Sequence, residues 1–166
     1  QFRKEEVLNL IRESEDVSFS RPSKDISWGI PAPDDLEHRI YVWMEALLNY
    51  ISAIGYADET QQFKKLWPAD VHLIGKDILR FHAIIWPAML LAIGLETPKS
   101  IYIHGFITVD GQKMSKTIGN VIDPFDLVKK YGVDPVRYYL LREIPSYEDG
   151  DFSYKKLESR YNADLA

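Results

Sequence analysis

Lys113 and Lys116, three residues apart, are the side chains best suited to polyanion chemistry in this sequence. They lie in Val109-Asp110-Gly111-Gln112-Lys113-Met114-Ser115-Lys116-Thr117-Ile118-Gly119-Asn120, with a glycine on either side. Each ammonium is a compact charge with rotatable donors, and Ser115 places a hydroxyl between them. Asp110-Gly111 and Gly119-Asn120 are turn signals, so the stretch reads as a mobile loop able to close two cations over a phosphate chain. The same spacing also fits a solvated hairpin carrying ordinary surface lysines. A second constellation is aromatic. Trp43 and Tyr50 stand two helical turns apart with the small Ala46 between them. A large-small-large face can leave a slot for an apolar side chain, and it can equally be plain core. A third is His72-Leu73-Ile74-Gly75-Lys76-Asp77, a strand running through a glycine turn into a helix. That unit binds ligands at the carboxyl edge of open α/β sheets. Asp77 there suits either a helix cap or a ribose hydroxyl, and His82, one turn on, suits either a satisfied core position or a ligand.

The elements that must position these groups follow from periodicity. A short helix is expected over 2–14, a strand over 17–20 and a turn at 21–25. Residues 26–33 read as an extended run broken by glycine and prolines. A long helix is expected over 34–54, with Leu36, Ile40, Trp43, Leu47, Tyr50 and Ile54 along its stripe, Asp34 and Asp35 at its start and Gly55 at its end. A polar loop with slight amphipathic character at Phe63 and Leu66 leads to a strand over 71–74. Next comes a helix over 78–93, kinked near Ala83 by Pro87. The strand expected over 99–104 should run parallel to the preceding one, since a helix crosses between them. Helices are expected over 123–131 and 136–142, then an exposed acidic loop over 145–151. A last helix, capped at Phe152-Ser153, is still running at residues 165–166.

Composition narrows the class. At 166 residues with net charge −5, the chain can bury a real core but is no broadly basic nucleic-acid binder, though a local positive patch remains open. It has no cysteine, hence no disulfide and no thiol chemistry, and its four histidines show no metal-ligand spacing. No apolar run is long enough for a membrane span and the first residues lack a secretion signal. No membrane partner and a cytoplasmic location are therefore expected.

Lys113-Met114-Ser115-Lys116-Thr117 resembles the Lys-Met-Ser-Lys-Ser signature of the class I aminoacyl-tRNA synthetases, with Thr117 keeping the final hydroxyl, and Gly119-Asn120-Val121-Ile122-Asp123-Pro124 is similar as well. Further blocks resemble the methionyl-tRNA synthetase family within that class. They are Trp28-Gly29-Ile30-Pro31 with the run from Tyr41 to Tyr50, then His72 to Ile78 with Phe81-His82 and Trp86-Pro87-Ala88-Met89-Leu90. His104-Gly105-Phe106 and Asp151-Phe152-Ser153 complete a resemblance over nearly the whole chain. It implies an α/β fold, the second half of a Rossmann-like nucleotide-binding fold with parallel strands and crossover helices, followed by a short helical stem-contact-like segment. Residues 1–112 would be the half-domain and 113–166 the lysine loop with that helical segment.

The resemblance also implies roles. Trp43, Ala46, Leu47 and Tyr50 would line the methionine pocket with His82 beside the thioether. Gly75 and Asp77 would meet the ribose, and His104 and Ile107 would border the adenine. Lys113, Ser115 and Lys116 would hold the ATP phosphates, with the two lysines catalytic. The implied substrates are methionine, ATP (with Mg2+ accompanying it, no metal being held by this segment) and tRNA(Met). Two departures stand out. Glu45 replaces the family's usual Asp, and no His-Ile-Gly-His run exists here. The expected partners of this piece are therefore the missing N-terminal half of the catalytic domain and a C-terminal anticodon-binding domain, and the piece alone is expected to be inactive. Two other readings are a class I ligase for Leu, Ile, Val or Cys, and a non-catalytic RNA- or partner-binding paralogue.

Overall fold

A computed structural model describes residues 3–166; Gln1 and Phe2, where the first helix was expected to begin, lie outside the described residues. The described residues form two compact units, one running to residue 72 and over 77–102, the other of 73–76 and 103–166.

The first unit opens with α1 (Lys4–Arg12). A three-stranded sheet follows, ordered β1 (Ser20–Pro22), β3 (Asp35–Ile40), β2 (Pro31–Ala32), with β3 antiparallel to both neighbours. The helix expected from residue 34 therefore does not start there. Its first third is strand β3, and α2 spans Val42–Ser52 after an extended Tyr41. The reason is pairing. Residues 20–22 and 31–32 supply ladder partners for 35–40, and Leu36, counted in the apolar stripe, is 74% exposed in that strand. Asp35 caps nothing; it accepts the Glu37 amide at 3.0 Å and pairs with His38 at 2.6 Å. Arg21 and Pro22, expected in a turn, belong to β1, which begins at the end of the run 17–20 where the strand was expected.

Beyond α2 lies α3 (Gln61–Leu66), capped by Thr60, whose hydroxyl oxygen accepts the Phe63 amide. Strand β4 (His72–Gly75) leads through a 3-10 turn (Lys76–Ile78) and a π-helical turn (Phe81–Ile85) into α4 (Trp86–Ala92). Pro87 has no N–H to offer the Ala83 carbonyl, so the ladder widens in the turn just before it. In place of the expected kink near Ala83 there is this widened turn. Leu47, Ile51, Ile85, Trp86 and Leu90 form the core of the unit. Strand β5 (Ile101–His104) pairs with β4 in a two-stranded sheet.

In the second unit, β6 (Ile107–Val109) is central between β7 (Gln112–Lys113), antiparallel, and β8 (Gly150–Phe152), parallel. Strand β8 occupies part of what was expected to be a loop. Its three residues carry no periodicity, and their pairing partner lies about forty positions back in the chain. Helices α5 (Pro124–Tyr131), α6 (Val133–Glu143) and α7 (Tyr154–Arg160) complete the unit, with a π-helical turn over Tyr161–Leu165. Asp123 caps α5 by accepting the Phe125 amide at 2.8 Å. α6 begins three residues earlier than expected because Pro135 falls in its first turn, where a missing N–H removes no bond. The Ser153 side chain makes no cap bond; its amide instead donates to the Tyr139 hydroxyl at 3.2 Å. Val109, Leu127, Val136, Tyr139, Phe152 and Leu157 form this second core. Among the described residues no helix is long and apolar enough to cross a membrane.

Candidate functional site

In the first unit, α2 and the π-helical turn bring the aromatic residues together. His82 is buried at 2% exposure and lies between the two rings of α2. Its ring meets Trp43 edge-on at 6.2 Å and Tyr50 at 5.6 Å. Trp43 is in turn stacked on Phe81 at 4.0 Å, the two rings nearly parallel. The hydrogen bonds fix the histidine's tautomer. Its Nδ1 lies 3.0 Å from the Ile78 carbonyl, which can only accept, so Nδ1 carries the proton. With the proton on Nδ1, the single tautomer open to an uncharged ring has Nε2 accept from the Tyr50 hydroxyl at 2.8 Å. Burial raises the Tyr50 phenol above its ordinary pKa. Ala46 is exposed between the two aromatics, and Leu47 is fully buried beneath them. The arrangement is a half-open aromatic notch with a small residue at its mouth and an imidazole, hydrogen-bonded through both nitrogens, as its floor. It can grip an apolar, polarizable side chain through ring edges and faces. An apolar cleft of about 590 Å3 lies elsewhere in this unit, lined by Met44, Leu48, Ile84 and Ala88 among others, and by none of the expected site residues.

Behind the notch sits a second buried histidine that periodicity did not single out. His72 accepts the Trp86 indole N–H on Nε2 at 3.1 Å and packs on the Tyr50 ring at 4.3 Å. Burial, and then the neighbouring His82, hold its pKa below the ordinary histidine value. Its alternation with Ile74 on the buried face of β4 was the available signal. Phe81, adjacent to His82 in the sequence, was equally visible and was not assigned a role.

The expected nucleotide residues divide between the units. Asp77 is exposed in the 3-10 turn of the first. Gly75 ends β4, exposed His104 ends β5, and half-buried Ile107 begins β6 in the second. The His104 Nδ1–H donates to the Gly105 carbonyl at 2.8 Å. Lys76 pairs with Asp149 at 2.7 Å and its ammonium lies 4.6 Å from the centre of the Phe106 ring. Lys113 approaches the same ring at 5.7 Å, so one lysine from outside the loop and one from within it meet at Phe106.

The lysine loop begins as a hairpin. β6 and β7 are joined by Asp110 and Gly111, both left-handed at φ 49° and 77°, the backbone that two-residue hairpin turns require. Gly111 adopts this without strain, and Asp is among the side chains that tolerate it. Met114 packs against the second core, which leaves Lys113 and Lys116 exposed on either side of it. Ser115 is half-buried; its amide donates to the Asn120 side-chain oxygen at 2.8 Å, and its hydroxyl oxygen accepts the Thr117 amide. Two solvated ammonium groups flanking an anchored methionine can neutralise adjacent phosphates. Among the described residues no cluster of three or more His, Asp or Glu could hold a metal ion.

Comparisons with known proteins show the family. The family model described as tRNA synthetases class I (M) matches residues 2–166. A methionine–tRNA ligase of Thermotoga maritima is 55% identical over 99% of this chain, and one of Brucella suis is 50% identical over the same share. The chain spans 26% and 32% of those relatives' length. Among solved structures, a Mycobacterium tuberculosis methionyl-tRNA synthetase in complex with methionyl-adenylate matches with a TM-score of 0.89 at 45% identity. The match covers 99% of this chain and 32% of that one. The free-state structure of the same enzyme matches at 0.84 with 42% identity, over the same shares. The α/β fold expected from the sequence, that of a class I synthetase catalytic domain, is thus the fold found.

Proposed function

We propose, from the premise that this chain belongs to the tRNA synthetases class I (M), that it is the methionine- and ATP-binding segment of a methionine–tRNA ligase. The observation that carries the proposal is the buried His82, hydrogen-bonded through both ring nitrogens and held between Trp43 and Tyr50. A thioether is apolar and polarizable, and aromatic edges favour sulfur by about 0.3–1.5 kcal/mol.

In the first step a methionine carboxylate oxygen attacks the α-phosphorus of ATP and pyrophosphate leaves, giving methionyl-adenylate. In the second, a hydroxyl of the terminal adenosine of tRNA(Met) takes the acyl group and AMP departs. No protein nucleophile is needed, so catalysis is positioning and electrostatics. Trp43, Ala46, Leu47, Tyr50 and His82 would serve the methionine side chain. Asp77 and Gly75 would serve the ribose, His104 and Ile107 the adenine. Lys113, Ser115 and Lys116 would hold the phosphates, with the two ammonium groups offsetting charge as pyrophosphate forms and leaves. Mg2+ would arrive with ATP. Residues 1–112 would then be the second half of a Rossmann-like catalytic domain and 113–166 the loop and stem-contact-like segment of a longer, cytoplasmic ligase. The Mycobacterium structure bound to methionyl-adenylate supports this reading.

The test is amino-acid-dependent ATP–pyrophosphate exchange by the longer ligase containing this segment. Methionine is expected to drive exchange, with leucine, isoleucine, valine and cysteine at background. Exchange driven by one of those four instead would move the assignment to another class I ligase. No exchange with any amino acid, together with retained RNA binding, would favour a paralogue that only binds.

A further inference from the structure

The lysine loop is held from a strand that the proposed chemistry does not use. The Asp151 Oδ1 accepts two hydrogen bonds, each of 2.7 Å, from the Thr108 hydroxyl and from the Gly111 amide. Thr108 lies opposite Asp151 in the parallel β6–β8 ladder and opposite Lys113 in the antiparallel β6–β7 ladder. Gly111 is half of the hairpin turn, and the other half, Asp110, donates its amide to the Phe152 carbonyl at 3.1 Å. A turn amide that water would otherwise satisfy is thus taken by a carboxylate, and charge-assisted bonds of this kind are the stronger ones. Both donors favour the ionised acid and hold the Asp151 carboxyl below its ordinary pKa.

Beyond the turn, the loop closes on itself. The Asn120 side chain donates to the Lys113 carbonyl at 3.2 Å while its oxygen accepts the Ser115 amide. The Gly119 amide donates to the Ser115 carbonyl at 3.0 Å. Residues 113–120 are therefore tied into one block, and that block hangs from the hairpin whose turn Asp151 fixes.

We propose that Asp151 is a positioning residue for Lys113 and Lys116, acting through Thr108 and Gly111 to set the angle at which the lysine block leaves the sheet. This rests on the reading of the loop as the phosphate-holding element. A misplacement of about an ångström far from the reacting atoms can cost up to about a hundredfold in rate, so a side chain that touches no substrate can still govern the step.

The experiment is pyrophosphate exchange by the full-length ligase carrying Asp151→Ala, Asp151→Asn, Thr108→Val or Lys116→Ala, with melting curves for each. Asp151→Ala is expected to lower kcat about tenfold and raise the ATP KM severalfold, leaving the methionine KM unchanged. Asp151→Asn keeps an oxygen acceptor and should recover most of the loss. Thr108→Val removes one of the two donors and should fall between, which keeps the proposal testable if the alanine variant does not fold. Wild-type kcat and ATP KM in a folded Asp151→Ala would overturn the proposal, as would equal rises in both KM values. Lys116→Ala separates the two claims. If it abolishes exchange while Asp151→Ala does nothing, only the positioning role falls. If Lys116→Ala is itself harmless, the phosphate reading falls and the positioning role with it.

Discussion

Replacing Tyr50 by phenylalanine removes one oxygen and tests the logic of the aromatic notch. That hydroxyl donates to the His82 Nε2 at 2.8 Å, while the ring's other nitrogen is committed to the Ile78 carbonyl. With His82 at 2% exposure, losing the donor leaves a buried lone pair unmatched, a cost of about 1–3 kcal/mol. Tyr50 itself is 36% exposed, so water can reach the vacated position, which places the loss near the lower end, about 1 kcal/mol. The Tyr50 ring stays packed on His72, so little apolar contact is lost. Urea unfolding of the 166-residue chain should show that loss. In the full-length ligase the freed imidazole should raise the methionine KM roughly fivefold, the factor that about 1 kcal/mol represents, with the ATP KM unmoved. Nitrogen-15 spectra of the imidazole give the direct check. The wild-type His82 should carry its proton on Nδ1. Protonation on Nε2, or unchanged stability and methionine KM in Tyr50→Phe, would refute the reasoning.

Other consequences follow from the same geometry. Burial holds the folded-state pKa of His72 below the unfolded value of about 6.5. The folded form therefore prefers the neutral ring, and the resulting stability is complete above about pH 6.5 and lost as pH falls toward the lower folded value. The urea midpoint should drop between pH 7.5 and pH 5.5, and less so in His72→Gln; equal slopes would contradict it. Gly105→Ala should destabilise by about 1–3 kcal/mol, because a Cβ there would overlap the Glu148 backbone; an unchanged melting temperature would show that this close approach relaxes freely. Asp123→Ala should cost about 1 kcal/mol by leaving the Phe125 amide without its cap, read from the same melts.

What could be read from the sequence depended on how local the deciding interactions were. The stripe carrying Trp43, Leu47 and Tyr50 is a single-helix property, and α2 is where it was expected. Leu36 and Ile40 have the same spacing, yet they sit in β3, because the decision there was made by pairing with residues 20–22 and 31–32. Strand β8 was invisible for the same reason, its partner β6 being far away in the chain. Pro87 announced a disturbance near Ala83 but not its form, since whether a helix bends or widens depends on the packing around it. In the candidate site, the paired lysines, the aromatics of α2 and His82 were legible as residue types at recognisable spacings. The hydrogen bonds that orient them were not: the Tyr50–His82 bond and the Asp151 bond to Gly111 join residues more than thirty positions apart.

The account stands on a division of labour between the aromatic notch and the lysine loop. It is tested most directly by measuring both KM values and kcat in pyrophosphate exchange for Trp43→Ala and Lys116→Ala side by side in the full-length ligase. Trp43→Ala is predicted to raise the methionine KM at least tenfold with the ATP KM unchanged, the loss expected for a stacked indole. Lys116→Ala is predicted to lower kcat by about a hundredfold or more with the methionine KM unchanged. If Trp43→Ala weakens ATP as much as methionine, or if Lys116→Ala leaves kcat untouched, the assignment of these residues is wrong.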